Sequence, residues 1–89
     1  MSNDPVTIPI EGELDLHTFQ PRDIPEVVAA FLAAAHERGL AEVRLVHGRG
    51  RGIQRAVVHR VAAAHPLVAT FYDDTVSRLG ATIAVLVAR

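Results

Sequence analysis

The sequence predicts an α/β protein, more closely an α+β two-layer sandwich with the element order β-α-β-α-β-β. Apolar residues change along the chain between a period of two and a period of about 3.6, which indicates four strands and two helices. A chain of 89 residues buries only about 60–65% of its unfolded surface, so one core between two layers is expected. A four-stranded sheet packed against two helices satisfies both constraints.

The first strand is predicted at residues 13–17, where Leu14 and Leu16 alternate with polar residues. Successive side chains of a strand point to opposite faces, so Glu13, Asp15 and His17 share the face that the leucines do not occupy. The first strand therefore carries a polar face that ends in a carboxylate and an imidazole.

The first helix is predicted after Asp23, which has Glu26 three residues later, the spacing of a capping box. Apolar residues then recur at helical spacing through residues 24–35 and form a single stripe. Gly39 is expected to end the helix as its C′ residue, because glycine takes the left-handed conformation without steric cost.

The second half of the chain predicts one helix and three strands. A β-branched run at residues 43–46 indicates the second strand, and residues 68–72 and 82–88 indicate the third and fourth. The second helix spans residues 54–64 and ends at His65-Pro66, because the residue before a proline disfavours helix. The residues expected to face inward from this helix are Ile53, Val57, Val61 and Ala64.

The first two strands are joined through a helix and should therefore be parallel, with a right-handed crossover. The carboxyl ends of parallel strands lie at one edge of the sheet, where ligands bind in open α/β sheets. Asp15 and His17 end the first strand, and His47 follows the second. Residues about thirty positions apart are thus expected to become neighbours.

The segment His47-Gly48-Arg49-Gly50-Arg51-Gly52 joins the second strand to the second helix and holds three of the chain's 6 glycines. Backbone amides at such a strand-to-helix turn form a site for anions such as phosphate. Arginine can donate two parallel hydrogen bonds to the same phosphate. No Lys-Ser/Thr pair follows, so the segment is not a Walker A motif. A turn that is glycine-rich for purely conformational reasons is the alternative. The predicted phosphate-binding residues are Gly48, Arg49, Gly50, Arg51, Gly52 and Arg55.

The net charge of −1 conceals an uneven distribution of charge along the chain. No acidic residue occurs from Val43 to Tyr72, whereas Asp73 and Asp74 follow directly. Such an asymmetry predicts a face that binds a polyanion, and nucleic acid is the expected partner. The arginines of this segment are Arg44, Arg49, Arg51, Arg55 and Arg60.

Other classes of protein are excluded by what the sequence does not contain. The chain has no cysteine, so neither a disulfide framework nor a cysteine-based zinc site is available. No apolar run reaches the roughly 18 residues of a membrane span, and the N-terminus has no signal-peptide pattern. A cytoplasmic protein without a membrane partner is expected.

Asp15-Leu16-His17 supplies the residue types of general acid–base catalysis. A strand places the carboxylate and the imidazole on one side, about 7 Å apart along the chain. The imidazole can move a proton near neutral pH, and the carboxylate can orient the ring. With His47 beside them, Asp15 and His17 are predicted to cleave a phosphodiester, while arginine stabilises the charge of the transition state.

The alternative is that Asp15 caps a loop and His17 is structural. No motif requires a cofactor. A divalent cation, Mg²⁺ or Mn²⁺, remains a candidate ligand, although a single carboxylate supplies few of the oxygen ligands that such a cation needs. The histidines at positions 36, 59 and 65 are interpreted as residues of helix surfaces or helix ends without chemistry.

Four segments in register resemble the Smr domain, the small MutS-related module. The resemblance covers about residues 10–89, which leaves residues 1–9 as an N-terminal extension. It implies the fold of the C-terminal domain of bacterial translation initiation factor three, a mixed four-stranded sheet with two helices on one face and with the fourth strand antiparallel to the others. The segments are Leu14-Asp15-Leu16-His17, Val46-His47-Gly48-Arg49-Gly50, His65-Pro66-Leu67-Val68 and Gly80-Ala81-Thr82.

The same resemblance implies nucleic-acid binding, and several family members nick DNA or cleave RNA. The suspected active site of the family corresponds here to Asp15 and His17 of the first segment and to residues 47–50 of the second. Family members often have glycine after the LDLH segment, where this chain has Thr18. Threonine does not take a positive φ cheaply, so the loop over residues 18–21 is expected to run differently.

Three functions remain open from the sequence. The first is an endonuclease that acts on DNA or RNA, and the second is a non-catalytic module that binds nucleic acid. The third is a binder of a small phosphorylated metabolite at the glycine-rich loop.

Overall fold

The computed structural model describes residues 12–48, 52–75 and 80–89. The element order is β-α-β-α-β-β, as predicted, with one short 3₁₀ turn before the first helix. The predicted extension, residues 1–9, and Arg49, Gly50 and Arg51 of the glycine-rich loop lie outside the described residues. The elements are β1 (Glu13–Asp15), the 3₁₀ turn (Pro21–Asp23), α1 (Ile24–Glu37), β2 (Glu42–Val46), α2 (Ile53–Ala64), β3 (Val68–Asp73) and β4 (Ala81–Leu86).

The four strands form one mixed sheet in the order β1-β2-β4-β3. β1 is parallel to β2, and β4 is antiparallel to both β2 and β3, so the fourth strand opposes the other three as the resemblance implied. Asp15 lies opposite Val46, and the Leu16 N–H continues the pairing by donating to the Val46 carbonyl at 2.9 Å. The ends of β1 and β2 therefore lie side by side at one edge of the sheet.

The core lies between the sheet and the two helices, which pack against each other on one face. Leu32, Leu45 and Val58 are each completely buried and represent α1, β2 and α2 in that core. Burial of such aliphatic side chains stabilises the fold by roughly 1.5–3 kcal/mol each relative to exposure. The other members of the buried cluster are Leu16, Ile24, Val28, Phe31, Ala35, Val43, Ala84 and Leu86.

The predicted inward face of α2 is wrong by about one residue. Val58 and Ala62 are buried, and Val57 and Val61 pack against the core while only partly buried. Ile53 is 66% exposed and Ala64 is also exposed. The four residues predicted to face inward form one line along the helix, but that line is the border of the buried stripe. The centre of the stripe runs through Val58 and Ala62.

The capping box predicted for α1 is also wrong. The chain enters α1 through the 3₁₀ turn, so Asp23 has helical angles (φ −90°, ψ −14°) and its side chain makes no capping hydrogen bond. An N-cap side chain normally reaches the first-turn amides from an extended backbone. The helical conformation of Asp23 therefore removes the geometry that the sequence spacing suggested.

The other end of α1 is closed by Gly39, as predicted. Gly39 has φ +82° and donates its N–H to the His36 carbonyl at 3.0 Å, and Leu40 donates to the Ala35 carbonyl at 3.1 Å. These two bonds are the Schellman arrangement, which satisfies carbonyls that the end of a helix leaves unpaired.

The loop after β1 contains Thr18 without backbone strain. Phe19 donates its N–H to the Leu16 carbonyl at 3.2 Å, which closes a four-residue turn with His17 and Thr18 at its centre. No residue other than glycine has a positive φ in the described ranges. A type I turn has negative φ at both central positions, so threonine fits there. In the same ranges no helix combines the length and apolarity needed to cross a membrane.

Candidate functional site

The carboxyl ends of β1 and β2 form one wall of a pocket of about 270 Å³. Its lining residues are Asp15, His17, Val46 and Gly48. The parallel register explains this convergence, because Asp15 and Val46 are direct partners in the sheet. The structure thus brings the LDLH segment and the start of the glycine-rich loop together, as the topology predicts.

Asp15 and His17 are in direct contact within this pocket. One carboxylate oxygen, Oδ1 of Asp15, accepts from the His17 backbone N–H at 3.0 Å and from the ring Nδ1 at 2.7 Å. β1 ends at Asp15 and the chain turns, so the two side chains are not spaced along a strand as predicted. The turn is what converts two separate groups into a hydrogen-bonded pair.

The Asp15–His17 contact fixes the proton positions of both groups. An ionised carboxylate only accepts hydrogen bonds, so Nδ1 of His17 carries the proton and, in the neutral ring, Nε2 keeps a lone pair. The hydrogen bonds from the backbone and ring of His17 hold the pKa of Asp15 below its ordinary value. The His17 side chain is 75% exposed, so solvent and ligands can reach Nε2.

His47 has a different environment from His17, although both were predicted to be catalytic. Its side chain is buried (8% exposed), with Nδ1 lying 3.0 Å from the Gly48 carbonyl and Nε2 lying 2.9 Å from Oγ1 of Thr82. Burial lowers the pKa of His47 and favours the neutral ring. Both ring nitrogens of His47 are thus engaged inside the protein, and its predicted role in proton transfer stays a prediction.

Gly48 bends the chain away from β2 with φ +85°. Its N–H and that of His47 both donate to the Gly80 carbonyl, each at 3.1 Å. The amide of Gly48 was expected to bind phosphate, but it is used within the protein. Gly52 has φ +80° at the start of α2, and its carbonyl accepts the first helical hydrogen bond from Ala56 at 2.9 Å.

Arg55, another predicted phosphate contact, is ion-paired. Its Nε donates to both carboxylate oxygens of Asp73 at 3.1 Å, and Nη2 donates to Oδ2. These hydrogen bonds lower the pKa of Asp73, and a hydrogen bond from His59 lowers it further. Asp73 occupies Nε and Nη2 of Arg55, so a phosphate would have to use the remaining guanidinium donors beside the negative charge of Asp73.

The predicted basic face is partly neutralised in the fold. Arg44 donates from Nε to Asp74 at 2.8 Å and lies 3.2 Å from a carboxylate oxygen of Glu13. The acidic residues that flank the basic segment in sequence therefore fold back onto two of its five arginines, Arg44 and Arg55. Arg49 and Arg51, the arginines interleaved with the glycines, are outside the described residues.

A family model described as "Smr domain" matches residues 14–88. The chain belongs to the Smr family. The fold agrees: superposition with the crystal structure of the Smr domain of Thermus thermophilus MutS2 gives a TM-score of 0.77 at 27% sequence identity, and covers 84% of this chain and 96% of that one.

Curated relatives of this Smr domain are much longer proteins named endonuclease MutS2. The protein from Pelotomaculum thermopropionicum is 37% identical over 62 residues, which is 70% of this chain and 8% of the relative. The protein from Solidesulfovibrio magneticus is 48% identical over 42 residues, which is 47% of this chain and 5% of the relative. The chain thus matches less than a tenth of the length of either protein.

Three polar residues of the Smr domain form contacts that the sequence interpretation missed. Nε2 of His59 lies 3.0 Å from Oδ1 of Asp73 and 3.1 Å from Oγ1 of Thr82, and Thr82 also contacts His47. His59 had been assigned to the helix surface. The one feature of the sequence that could have indicated these contacts is Thr82, a polar residue among the apolar residues of β4. Thr82 is completely buried there.

The described residues of the Smr domain contain no group of three or more His, Asp or Glu side chains arranged to hold a metal ion. The nearest donor in the pocket for a divalent cation is the Asp15 carboxylate, which already accepts two hydrogen bonds from His17. Mg²⁺ or Mn²⁺ at this position stays a prediction.

Proposed function

We propose that this Smr domain binds nucleic acid and cleaves its phosphodiester bonds, in DNA or RNA, at the pocket formed by the LDLH and HGRG segments. The observation that carries this proposal is the Asp15–His17 pair. A carboxylate orients an exposed imidazole, which is the arrangement of a general base. The names of the curated relatives support the same class of reaction.

In the proposed reaction the lone pair on Nε2 of His17 accepts a proton from the attacking water. The water oxygen forms the new bond to phosphorus, and the bond from phosphorus to the leaving oxygen breaks. The ionised Asp15 stabilises the imidazolium that results, because its oxygen already accepts the Nδ1 proton. The proton then returns to the leaving oxygen directly or through solvent.

The charge on the phosphate is proposed to be stabilised by Arg49 and Arg51, which extend the chain from Gly48 at the wall of the pocket. Preorganised donors around a developing oxyanion contribute several kcal/mol in enzymes, roughly 3–4 kcal/mol for one donor. His47 contributes by holding the Gly48 backbone, and Arg55 remains paired with Asp73.

The second candidate function is a non-catalytic nucleic-acid-binding module. It is favoured by the engagement of both ring nitrogens of His47, which leaves His17 as the one histidine that lines the pocket among the described residues. Both candidates share the same binding surface and differ in whether His17 transfers a proton.

The deciding experiment incubates the purified domain with supercoiled plasmid and with structured RNA, in parallel samples with EDTA, Mg²⁺ or Mn²⁺. The variant His17→Ala is expected to lose about 100-fold or more of the cleavage rate, since general bases contribute 10²–10⁴-fold. Asp15→Asn should lose less, because the imidazole remains. His65→Gln removes an imidazole at the opposite end of α2 and should cleave like the wild type.

Each result has one interpretation. Equal cleavage by the wild type and His17→Ala would overturn the proposed role of His17 as the general base. Salt-dependent binding by a wild type that does not cleave would establish the non-catalytic module. Tight binding of a mononucleotide without binding of polymers would favour a metabolite site.

A further inference from the structure

A chain of hydrogen bonds connects β3 to the glycine-rich loop through the interior of the domain. It links three elements, α2, β3 and β4, and ends at the carbonyl of Gly48, a residue that lines the candidate pocket. The reaction proposed above does not use the middle of this chain. Its members, in order, are Arg55, Asp73, His59, Thr82, His47 and the Gly48 carbonyl.

The chemistry of the two ends fixes the direction of every bond. The Gly48 carbonyl can only accept, so Nδ1 of His47 donates to it, and Nε2 of the neutral His47 ring must accept. The hydroxyl of Thr82 is therefore the donor to Nε2. At the other end, the Asp73 carboxylate can only accept, so Nε2 of His59 carries a proton.

The two halves meet consistently at Thr82. Its oxygen accepts from Nε2 of His59, which shares one proton between Thr82 and Asp73 at 3.1 and 3.0 Å. Its own proton is then directed to His47. A threonine hydroxyl can rotate freely when it has one partner, but here a donor on one side and an acceptor on the other leave it one orientation.

We propose that Thr82, held by His59 and Asp73, is a positioning residue that fixes the tautomer of His47 and thereby the orientation of the Gly48 backbone. Both backbone polar groups of Gly48 are then held: its carbonyl accepts from His47, and its N–H donates to the Gly80 carbonyl. The backbone enters the Arg-Gly segment from this fixed point. Only the expected effect on cleavage rests on the proposed function.

Loss of the Thr82 hydroxyl would remove one of the two hydrogen bonds that favour the Nδ1–H tautomer of His47, the other being the bond to the Gly48 carbonyl. Valine has nearly the shape of threonine but cannot donate, so Nε2 of His47 would become a buried acceptor without a partner, which is unfavourable. A proton on Nε2 would gain no hydrogen-bond partner from valine, and Nδ1, left without its proton, would face the Gly48 carbonyl as a second acceptor. The preference for the Nδ1–H tautomer, which holds the Gly48 carbonyl, is therefore smaller in the valine variant.

The test reads the ring nitrogens of His47 directly, by long-range ¹H–¹⁵N NMR of the labelled domain, with His47→Gln used to assign the signals. The wild type and Thr82→Ser, which keeps the hydroxyl, are expected to show the proton on Nδ1. Thr82→Val is expected to show a mixture of tautomers and a shifted Gly48 amide signal. If the domain cleaves nucleic acid, Thr82→Val should lower kcat by about 10- to 100-fold with little change in KM.

A second variant keeps the inference testable if Thr82→Val does not fold. His59→Phe removes the donor to Thr82 but retains an aromatic ring against Phe71, whose ring centroid lies 5.0 Å from that of His59. It should also shift the Gly48 amide signal. A wild type with the proton on Nε2 of His47, or variants with unchanged tautomer and Gly48 signals, would overturn the inference. Since the NMR measurement needs no cleavage, failure of the proposed function would be recognised separately.

Discussion

The imidazole of His47 is a titratable group that faces residues of three elements of the fold. Thr82 of β4 contacts it, and His59 and Arg55 of α2 and Asp73 of β3 lie around it. Burial is the largest influence and lowers the pKa of His47 below its ordinary value of 6.5. The folded protein therefore takes up this proton less readily than the unfolded chain does.

This shift predicts a loss of stability in mild acid. Below about pH 6.5 the unfolded chain binds a proton that folded His47 resists, so the free energy of unfolding falls as the pH decreases from there. Urea unfolding at about pH 7.5 and 5.5 measures the difference. His47→Gln should show a smaller decrease over this interval, because the glutamine amide does not titrate. Equal pH dependence in the two proteins would contradict the prediction.

Single residues also mark the limit of prediction from sequence. The pairing of Asp15 with His17 depends on the end of β1, which alternation of apolar residues placed two positions too late. The turn that brings them together is closed by a backbone bond between Leu16 and Phe19, which no side-chain pattern reports. The residue types of the site were predictable, whereas their contact was not.

At the scale of elements, the two ends of α1 show which rules act locally. Gly39 and Leu40 terminate the helix through bonds to residues three and five positions before each of them, respectively, so the sequence contains the whole arrangement. The start of α1 depends instead on the 3₁₀ turn through which the chain arrives. The inward face of α2 likewise depends on how the helix is rotated against the sheet, and apolar spacing alone left an error of about one residue.

The Schellman arrangement at Gly39 predicts a graded effect of substitution. A Cβ at this position meets no atom within 4 Å, so the cost of a side chain is the strain of φ +82°. Gly39→Ala should lower the free energy of unfolding by about 1–2 kcal/mol. Gly39→Asn should cost less, because asparagine tolerates the left-handed conformation. Urea unfolding at neutral pH measures both, and an alanine variant as stable as the wild type would contradict the expected strain.

For the molecule as a whole, topology was predictable and charge pairing was not. The β-α-β connection requires parallel strands, and from this the meeting of the LDLH segment with Val46 and Gly48 follows. The segment from Val43 to Tyr72 contains only basic charges in sequence, yet Arg44 bonds to Asp74, thirty residues away. Such pairs form only when the fold brings distant segments together, so linear charge counts overestimated the basic face.

The pairing of Arg55 with Asp73 predicts a salt dependence of nucleic-acid binding that the linear sequence would not suggest. The binding constant K falls with salt concentration, and the steepness of this decrease is the magnitude of the slope of log K against log salt. If Arg49 and Arg51 each contact a phosphate, alanine at either position should reduce that magnitude by about 1. Asp73→Asn should have the opposite effect, because it releases Arg55 to contact a phosphate while the amide oxygen can still accept from His59. Binding should become stronger, and the magnitude of the slope should increase by up to about 1. Adding Arg55→Ala to Asp73→Asn should return the slope to that of the wild type. Fluorescence anisotropy with a labelled oligonucleotide at several salt concentrations measures all four, and an unchanged slope in Asp73→Asn would mean that Arg55 lies outside the contacted surface.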